Sequence, residues 1–188
     1  DASGAGNNGT ITKDSQYGTV EFVEGVNGGK AIRIVNDSNH RKKNLAANFV
    51  DYGSNLKFGT SDFSVSLWYK TDAEGVSPGD TANDDHGGND VSIFGNKDYD
   101  SGTNRGLTLG NFSANTPADV RVNFVAKQGT RVEINKVYVC DDTWHHLAAT
   151  FDRDGSMSVY VDGALYGSKD ISTYKDLSID VDGQNFVL

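Results

Sequence analysis

The run Phe63-Ser-Val-Ser-Leu-Trp-Tyr-Lys70 alternates apolar and polar side chains along its length. A strand points successive side chains to opposite faces, so Phe63, Val65, Leu67 and Tyr69 share one face and Ser64, Ser66, Trp68 and Lys70 the other. Such a segment has to lay one side of a sheet on a core. Val20 with Phe22, and Ile32 with Ile34, form shorter inward-facing pairs on two N-terminal strands. No apolar period of 3.6 residues runs for a useful length, and turn clusters recur at the spacing of a sandwich. The pattern predicts an all-β, antiparallel two-sheet sandwich. With 188 residues and 36% hydrophobic composition, the chain can bury one substantial core, and 1–188 reads as a single domain.

Two hairpins carry their own register. Asp162-Gly163 is a type I′ turn signal, which pairs Val161 with Ala164, Tyr160 with Leu165 and Val159 with Tyr166. A turn over Lys127-Gln-Gly129, centred on Gln128, sets Phe124 opposite Val132 and Val122 opposite Ile134. It also sets Asn123 opposite Glu133 and Arg121 opposite Asn135 on the other face. Phe63, Val65, Leu67, Val122, Phe124, Leu147, Phe151 and Val159 are the predicted core.

Net charge of -9 argues against nucleic acid and anionic membrane as partners, since a phosphate backbone is held by clustered Lys and Arg. The basic run Arg41-Lys42-Lys43 reads as a solvated loop. No stretch is long and apolar enough to insert into a membrane, and the chain opens at Asp1 without a signal peptide, as a mature or excised module would. Cys140 is the single cysteine, so no intrachain disulfide forms. Asp141 and Asp142 beside it raise its pKa, which makes it structural rather than nucleophilic. Asn8-Gly-Thr10, Asn36-Asp-Ser38 and Asn111-Phe-Ser113 fit the glycosylation sequon, which matters in a eukaryotic source.

Three segments in order, Asp62 to Thr71, Asp142-Thr-Trp-His-His-Leu-Ala-Ala-Thr-Phe151 and Met157-Ser-Val-Tyr-Val-Asp-Gly163, resemble the laminin-G-like, concanavalin-A-like jelly roll. The resemblance extends to Ser3-Gly-Ala-Gly-Asn-Asn-Gly-Thr10, Gly28-Gly-Lys-Ala-Ile-Arg-Ile34, Asn48-Phe-Val-Asp-Tyr-Gly53 and Gly95-Asn-Lys-Asp-Tyr-Asp-Ser-Gly102. It implies a sandwich that binds glycans or protein ligands and rides on a larger secreted or cell-surface protein, often a glycan-degrading enzyme of bacterial origin. The family pattern continues past a strand like Asn185-Phe-Val-Leu188 with a glycine and another strand. Nothing follows Leu188, so the resemblance implies that a last strand was cut away or is supplied by a separate segment, since an unpaired edge this apolar would be a liability.

Function is carried by sites rather than by the fold. Hydrolases of this fold use a Glu-x-Asp-x-x-Glu strand, and none is present; Glu21 and Glu24 have the wrong spacing for one face. No Gly-x-Ser-x-Gly elbow occurs, and His145 and His146 alternate within a strand, so they cannot jointly ligate one ion. The loop Asp72 to Asp90 concentrates hard oxygen donors, with Asp84, Asp85 and Asp90 the candidate Ca²⁺ ligands; Asp98 and Asp100 are an alternative pair. A solvated acidic loop is the competing account.

Gly95-Asn-Lys-Asp-Tyr-Asp-Ser-Gly-Thr-Asn-Arg-Gly106 resembles a recurrent loop of bacterial members, with Tyr99 in place of the usual tryptophan. Asn96, Lys97, Asp98, Asn104 and Arg105 offer directional hydrogen bonds to sugar hydroxyls, and Tyr99 offers an apolar platform. The alternative is a loop that hydrogen-bonds itself into shape. Arg121 and Asn123 add a polar sheet face, either ligand-binding or simply solvated. Trp68 and Trp144 read as packing residues. The expectation is a non-catalytic carbohydrate-binding module that tethers a larger protein to glycan. Its rivals are a protein-interaction or adhesive module and a structural spacer against an adjacent domain.

Overall fold

A computed structural model describes residues 3–16, 18–36, 48–71, 91–97, 103–112 and 119–188. Among these residues the only helical elements are two single turns of 3₁₀ helix. Twelve strands follow one another: β1 (Thr10–Thr12), β2 (Gly18–Glu24), β3 (Lys30–Asn36), β4 (Phe49–Asp51), β5 (Phe63–Tyr69) and β6 (Val91–Gly95), then β7 (Gly106–Phe112), β8 (Asp119–Lys127), β9 (Thr130–Val137), β10 (His145–Phe151), β11 (Ser156–Val161) and β12 (Ala164–Asp170).

One antiparallel sheet has the order β12-β11-β10-β5. The facing sheet runs β6-β7-β8-β9, and β1-β4 extends it through Val187, which bridges Gly95 on one side and Asp51 on the other. The chain end is therefore interior to a sheet and not an exposed edge. Gly95 and Val187 exchange N–H···O bonds of 3.0 and 2.9 Å, and Val50 and Leu188 exchange bonds of 2.6 and 2.9 Å. The edges of the four-stranded sheet are β5 and β12.

The core lies between the sheets. Val122, Phe124, Leu147, Phe151 and Val159 are fully buried, as the alternation predicts. Phe63, Val65 and Leu67 pack against that cluster but remain partly exposed, because β5 has one neighbour among the described strands. Phe63 still stacks on Phe151 at 4.4 Å between ring centroids, and Phe186 stacks on Phe94 at 5.2 Å.

Phe22 departs further from expectation, at 67% exposed. The hairpin β2–β3 pairs with no other described strand, so its far end has nothing to cover the ring.

The β11–β12 register holds near its turn and shifts beyond it, whereas the β8–β9 register holds in its middle and shifts at both ends. Val161↔Ala164 and Tyr160↔Leu165 pair as expected, but Val159 faces Gly167, which leaves Tyr166 as a bulge. The extra residue re-aims the ring, whose hydroxyl donates to the Lys136 carbonyl of the facing sheet. In β8–β9, Val122↔Ile134, Asn123↔Glu133 and Phe124↔Val132 are as expected. Lys127 pairs with Thr130, so the turn is the two residues Gln128-Gly129 rather than three. A second shift between Val120 and Val122 removes the expected Arg121–Asn135 pairing, and Lys136, at φ +64, donates its N–H to Asp119 instead.

Arg153 ties the connections together. It is 2% exposed, donates to the carbonyls of Gly59 (3.1 Å), Tyr174 (2.8 Å) and Leu177 (2.6 Å), and lies 5.0 Å from the centre of the Phe124 ring. A guanidinium suits this place because its fork satisfies several carbonyls while its flat face covers an aromatic ring.

Candidate functional site

The connection between β6 and β7 begins at Asn96, which is 3% exposed. Its Nδ2 donates to the Ile179 carbonyl at 3.2 Å, and its Oδ1 accepts from the Leu107 N–H at 2.9 Å. Arg105 is half-buried, and its Nη2 donates to the carbonyls of Ser178 (3.4 Å) and Asp180 (3.5 Å). Lys97 is 9% exposed, and Asn104 takes φ +53, a left-handed conformation that asparagine tolerates. The structure thus gathers Asn96, Lys97, Asn104 and Arg105 at the base of one loop, where Asn96 and Arg105 also grip the segment 178–180. Asp98, Tyr99 and Asp100 lie outside the described residues, as do Asp84, Asp85 and Asp90. Among the described residues no cluster of three or more His, Cys, Asp or Glu is arranged to hold a metal ion.

Arg121 and Asn123 stand on the side of β8 that faces away from the core. Gly95, Thr108, Asn123 and Glu133 form one row across β6, β7, β8 and β9. Its Gly95 end adjoins Asn96, where the connection to β7 begins. Asn123 is 0% and Thr108 2% exposed, so this face is covered rather than solvated. Neither Nδ2 nor Oδ1 of Asn123 has a hydrogen-bond partner among the described residues. Glu133 accepts a bond from Asn135 at Oε1 (2.9 Å), while its buried Oε2 makes none and lies 3.8 Å from Arg131 Nη1. Arg121 Nε donates to Asp119 Oδ2 at 3.3 Å.

Two features escaped the sequence. Trp68 is 51% exposed on the outer face of β5, against the expectation that it packs. The alternation in Phe63–Tyr69 already put it opposite the core side; the motif it belongs to argued otherwise. Trp144 is half-buried.

The second is a cluster around His145. Its Nδ1 meets Asp162 Oδ2 at 2.8 Å, and its Nε2 meets Thr143 Oγ1 at 3.0 Å and Asp141 Oδ1 at 3.2 Å. The hydrogen bond to Asp162, then that to Asp141 and both charges, hold the imidazole pKa above its usual value despite some desolvation. Asp162 and Asp141 are held below the usual carboxylate value, Asp162 by His145 first and Asp141 by Thr143 first. His146 points to the other side of the strand, as alternation requires, and shares a hydrogen bond of 2.9 Å with Ser66. Cys140 is pushed up to about 11, with burial the largest cause, followed by Asp119 and, after a backbone hydrogen bond that opposes the rise, Asp141.

No described helix is long and apolar enough to cross a membrane. A search of curated proteins finds no significant match. Among solved structures, the binding domain of Paraclostridial Mosquitocidal Protein 1 superposes with a TM-score of 0.65 at 17% identity, over 97% of this chain and 39% of that one. The binding domain of botulinum neurotoxin DC, solved in complex with rat synaptotagmin II, gives 0.56 at 15% identity over 97% and 42%. Botulinum neurotoxin type C, whose cell entry depends on interaction with two ganglioside molecules, gives 0.55 at 15% over 97% and 42%. The chain spans about two fifths of the length of these structures and shares their fold. A family model described as the concanavalin A-like lectin/glucanases superfamily, Laminin_G_3, matches residues 46–188, and the chain belongs to that family.

Proposed function

We propose that the chain is a non-catalytic glycan-binding module of a larger secreted or cell-surface bacterial protein. The residues that would serve the ligand are the row from Gly95 to Glu133, in which Asn123 lies covered, together with the loop that starts at Asn96. The carrying observation is Asn123, a fully buried amide whose donor and acceptor are both unmet among the described residues. Leaving such a group unpaired costs about 1–3 kcal/mol. In the working protein such a group is met by ordered water or by a ligand. An amide that offers one donor and one acceptor side by side matches adjacent sugar hydroxyls, each of which both donates and accepts. Glu133 Oε2, also unmet by hydrogen bonds, adds an acceptor next to it.

Lys97, Asp98, Tyr99, Asn104 and Arg105 continue the site at the Gly95 end, with Tyr99 as the platform for a pyranose face. Asp84, Asp85 and Asp90, or Asp98 and Asp100, are the residues that would hold Ca²⁺. The solved neighbours support a binding role, since cell entry of one depends on interaction with two ganglioside molecules and another is solved in complex with rat synaptotagmin II.

Asn123→Leu separates the two roles of this residue. If Asn123 is kept for ligand, the apolar near-isostere removes an unpaired buried amide, so the melting temperature holds or rises while glycan affinity, measured by isothermal titration, falls about tenfold or more. Full retention of glycan affinity in that variant would remove this row from the site.

A further inference from the structure

The outer face of the four-stranded sheet carries a different surface. Across it, Trp68 lies beside His146, and the next row is Ser66, Ala148, Tyr160 and Leu165. Trp68 is 51% and Leu165 59% exposed, and Tyr160 is half-buried. The Trp68 and His146 rings sit 5.3 Å apart at 57°, and Ser66 holds the imidazole from below. Ser66 and Ala148 thus make a low floor between an indole on β5 and a phenol on β11. Strand spacing and rise put Trp68 and Tyr160 about 12 Å apart.

This floor is uncharged. The row beyond it consists of Ser64, Thr150, Ser158 and Ser168, with the hydroxyls of Ser158 and Ser168 bonded at 3.0 Å. Among the described residues, ions at one end of the sheet are paired, Lys70 with Asp142 at 3.2 Å and Asp162 with His145 at 2.8 Å, and Asp170, opposite Ser156, stands at the other end. In a chain of net charge -9, a neutral patch of two separated aromatic rings and ranked hydroxyls complements a neutral polyhydroxylated ligand better than a charged one. Carbon–hydrogen faces of sugar rings lie on the aromatic platforms, and their hydroxyls meet serine, threonine and histidine.

We propose that this face is a second glycan-binding surface, for an extended neutral polysaccharide, independent of the row containing Asn123. Binding through Trp68 and Tyr160 on an exposed sheet face grips along a chain, whereas Asn123 is buried. Its occupant and that of the Asn123 row can differ.

Affinity electrophoresis of the 188-residue chain in gels containing β-glucan, xylan, galactomannan or dextran tests it. At least one neutral polysaccharide retards the parent. Trp68→Ala weakens that retardation about tenfold or more, Trp68→Phe restores most of it, and Asn123→Leu leaves it in place. Because Trp68 is half exposed, the alanine variant keeps its melting temperature. Quenching or enhancement of indole fluorescence by the same polysaccharide in a Trp144→Phe background reports contact at Trp68 directly. Three results would each overturn the proposal: no retardation by any neutral polysaccharide, equal retardation of Trp68→Ala and parent, or a concentration-dependent dimer that Trp68→Ala abolishes. The last would assign the face to a second copy of the chain. Loss of all retardation in Asn123→Leu alone would leave a single site in the Asn123 row.

Discussion

His145 shows how much one side chain can be asked to do on a surface. It joins Asp141, which follows β9, to Asp162 in the β11–β12 turn, and Asp162 takes φ +51 while its other oxygen accepts the His146 N–H at 2.9 Å. Because the imidazole pKa is raised by folding, its contribution to stability is complete below the unfolded value of about 6.5 and is lost as pH rises through the folded value. Asp141 and Asp162 are shifted down, so their contribution is present above about 4 and is lost as pH falls through their folded values. Urea midpoints should therefore plateau between about pH 4 and 6.5 and decline on the alkaline side. In His145→Gln the alkaline decline flattens. An unchanged decline in that variant would show that the slope arises elsewhere.

At the scale of elements, the segment 186–188 matters most, because it joins β4 to β6 and seats Phe186 in the core at 1% exposure. Phe186 lies against Phe94 at 5.2 Å and Phe58 at 4.9 Å. Phe186→Ala should cost about 3–5 kcal/mol, read from urea or thermal unfolding, since a ring is lost and the facing sheets cannot close on the gap. A cost under about 1 kcal/mol would mean that the segment is not part of the cooperative core.

The same elements show what the sequence disclosed. Alternation and the Asp162-Gly163 turn specify the faces of β5, β8 and β11 and the first pairs of the β11–β12 hairpin, because period and turn chemistry are local; the pair Lys127–Thr130 beside the other turn is missed. Tyr166 and Lys136 escape, since a bulge is chosen by a contact across the two sheets and not by its own strand. Exposure of Phe22 and partial exposure of β5 depend on which strands lie next to them, and the double use of Asn96 depends on where the segment 178–180 passes. For the candidate site, sequence located Asn123 and its partner Glu133, but not that the amide would be buried and unpaired. Trp68 was judged by its motif when its place in the alternation pointed outward.

For the whole molecule, the sheets provide two unlike faces on a strongly acidic body. The acidic loops are where Ca²⁺ would act, and an ion that binds only the folded state raises stability by mass action. Melting in millimolar Ca²⁺ should exceed melting in EDTA, with Mg²⁺ giving less because it demands tighter octahedral geometry. Superimposed curves would exclude a structural Ca²⁺ site. The central claim is that this chain binds glycan, and an array of glycans probed with the isolated, folded chain tests it most directly. The account predicts selective signal on one class of neutral glycan, reduced in Asn123→Leu or in Trp68→Ala; a folded chain that binds no glycan above background would contradict it.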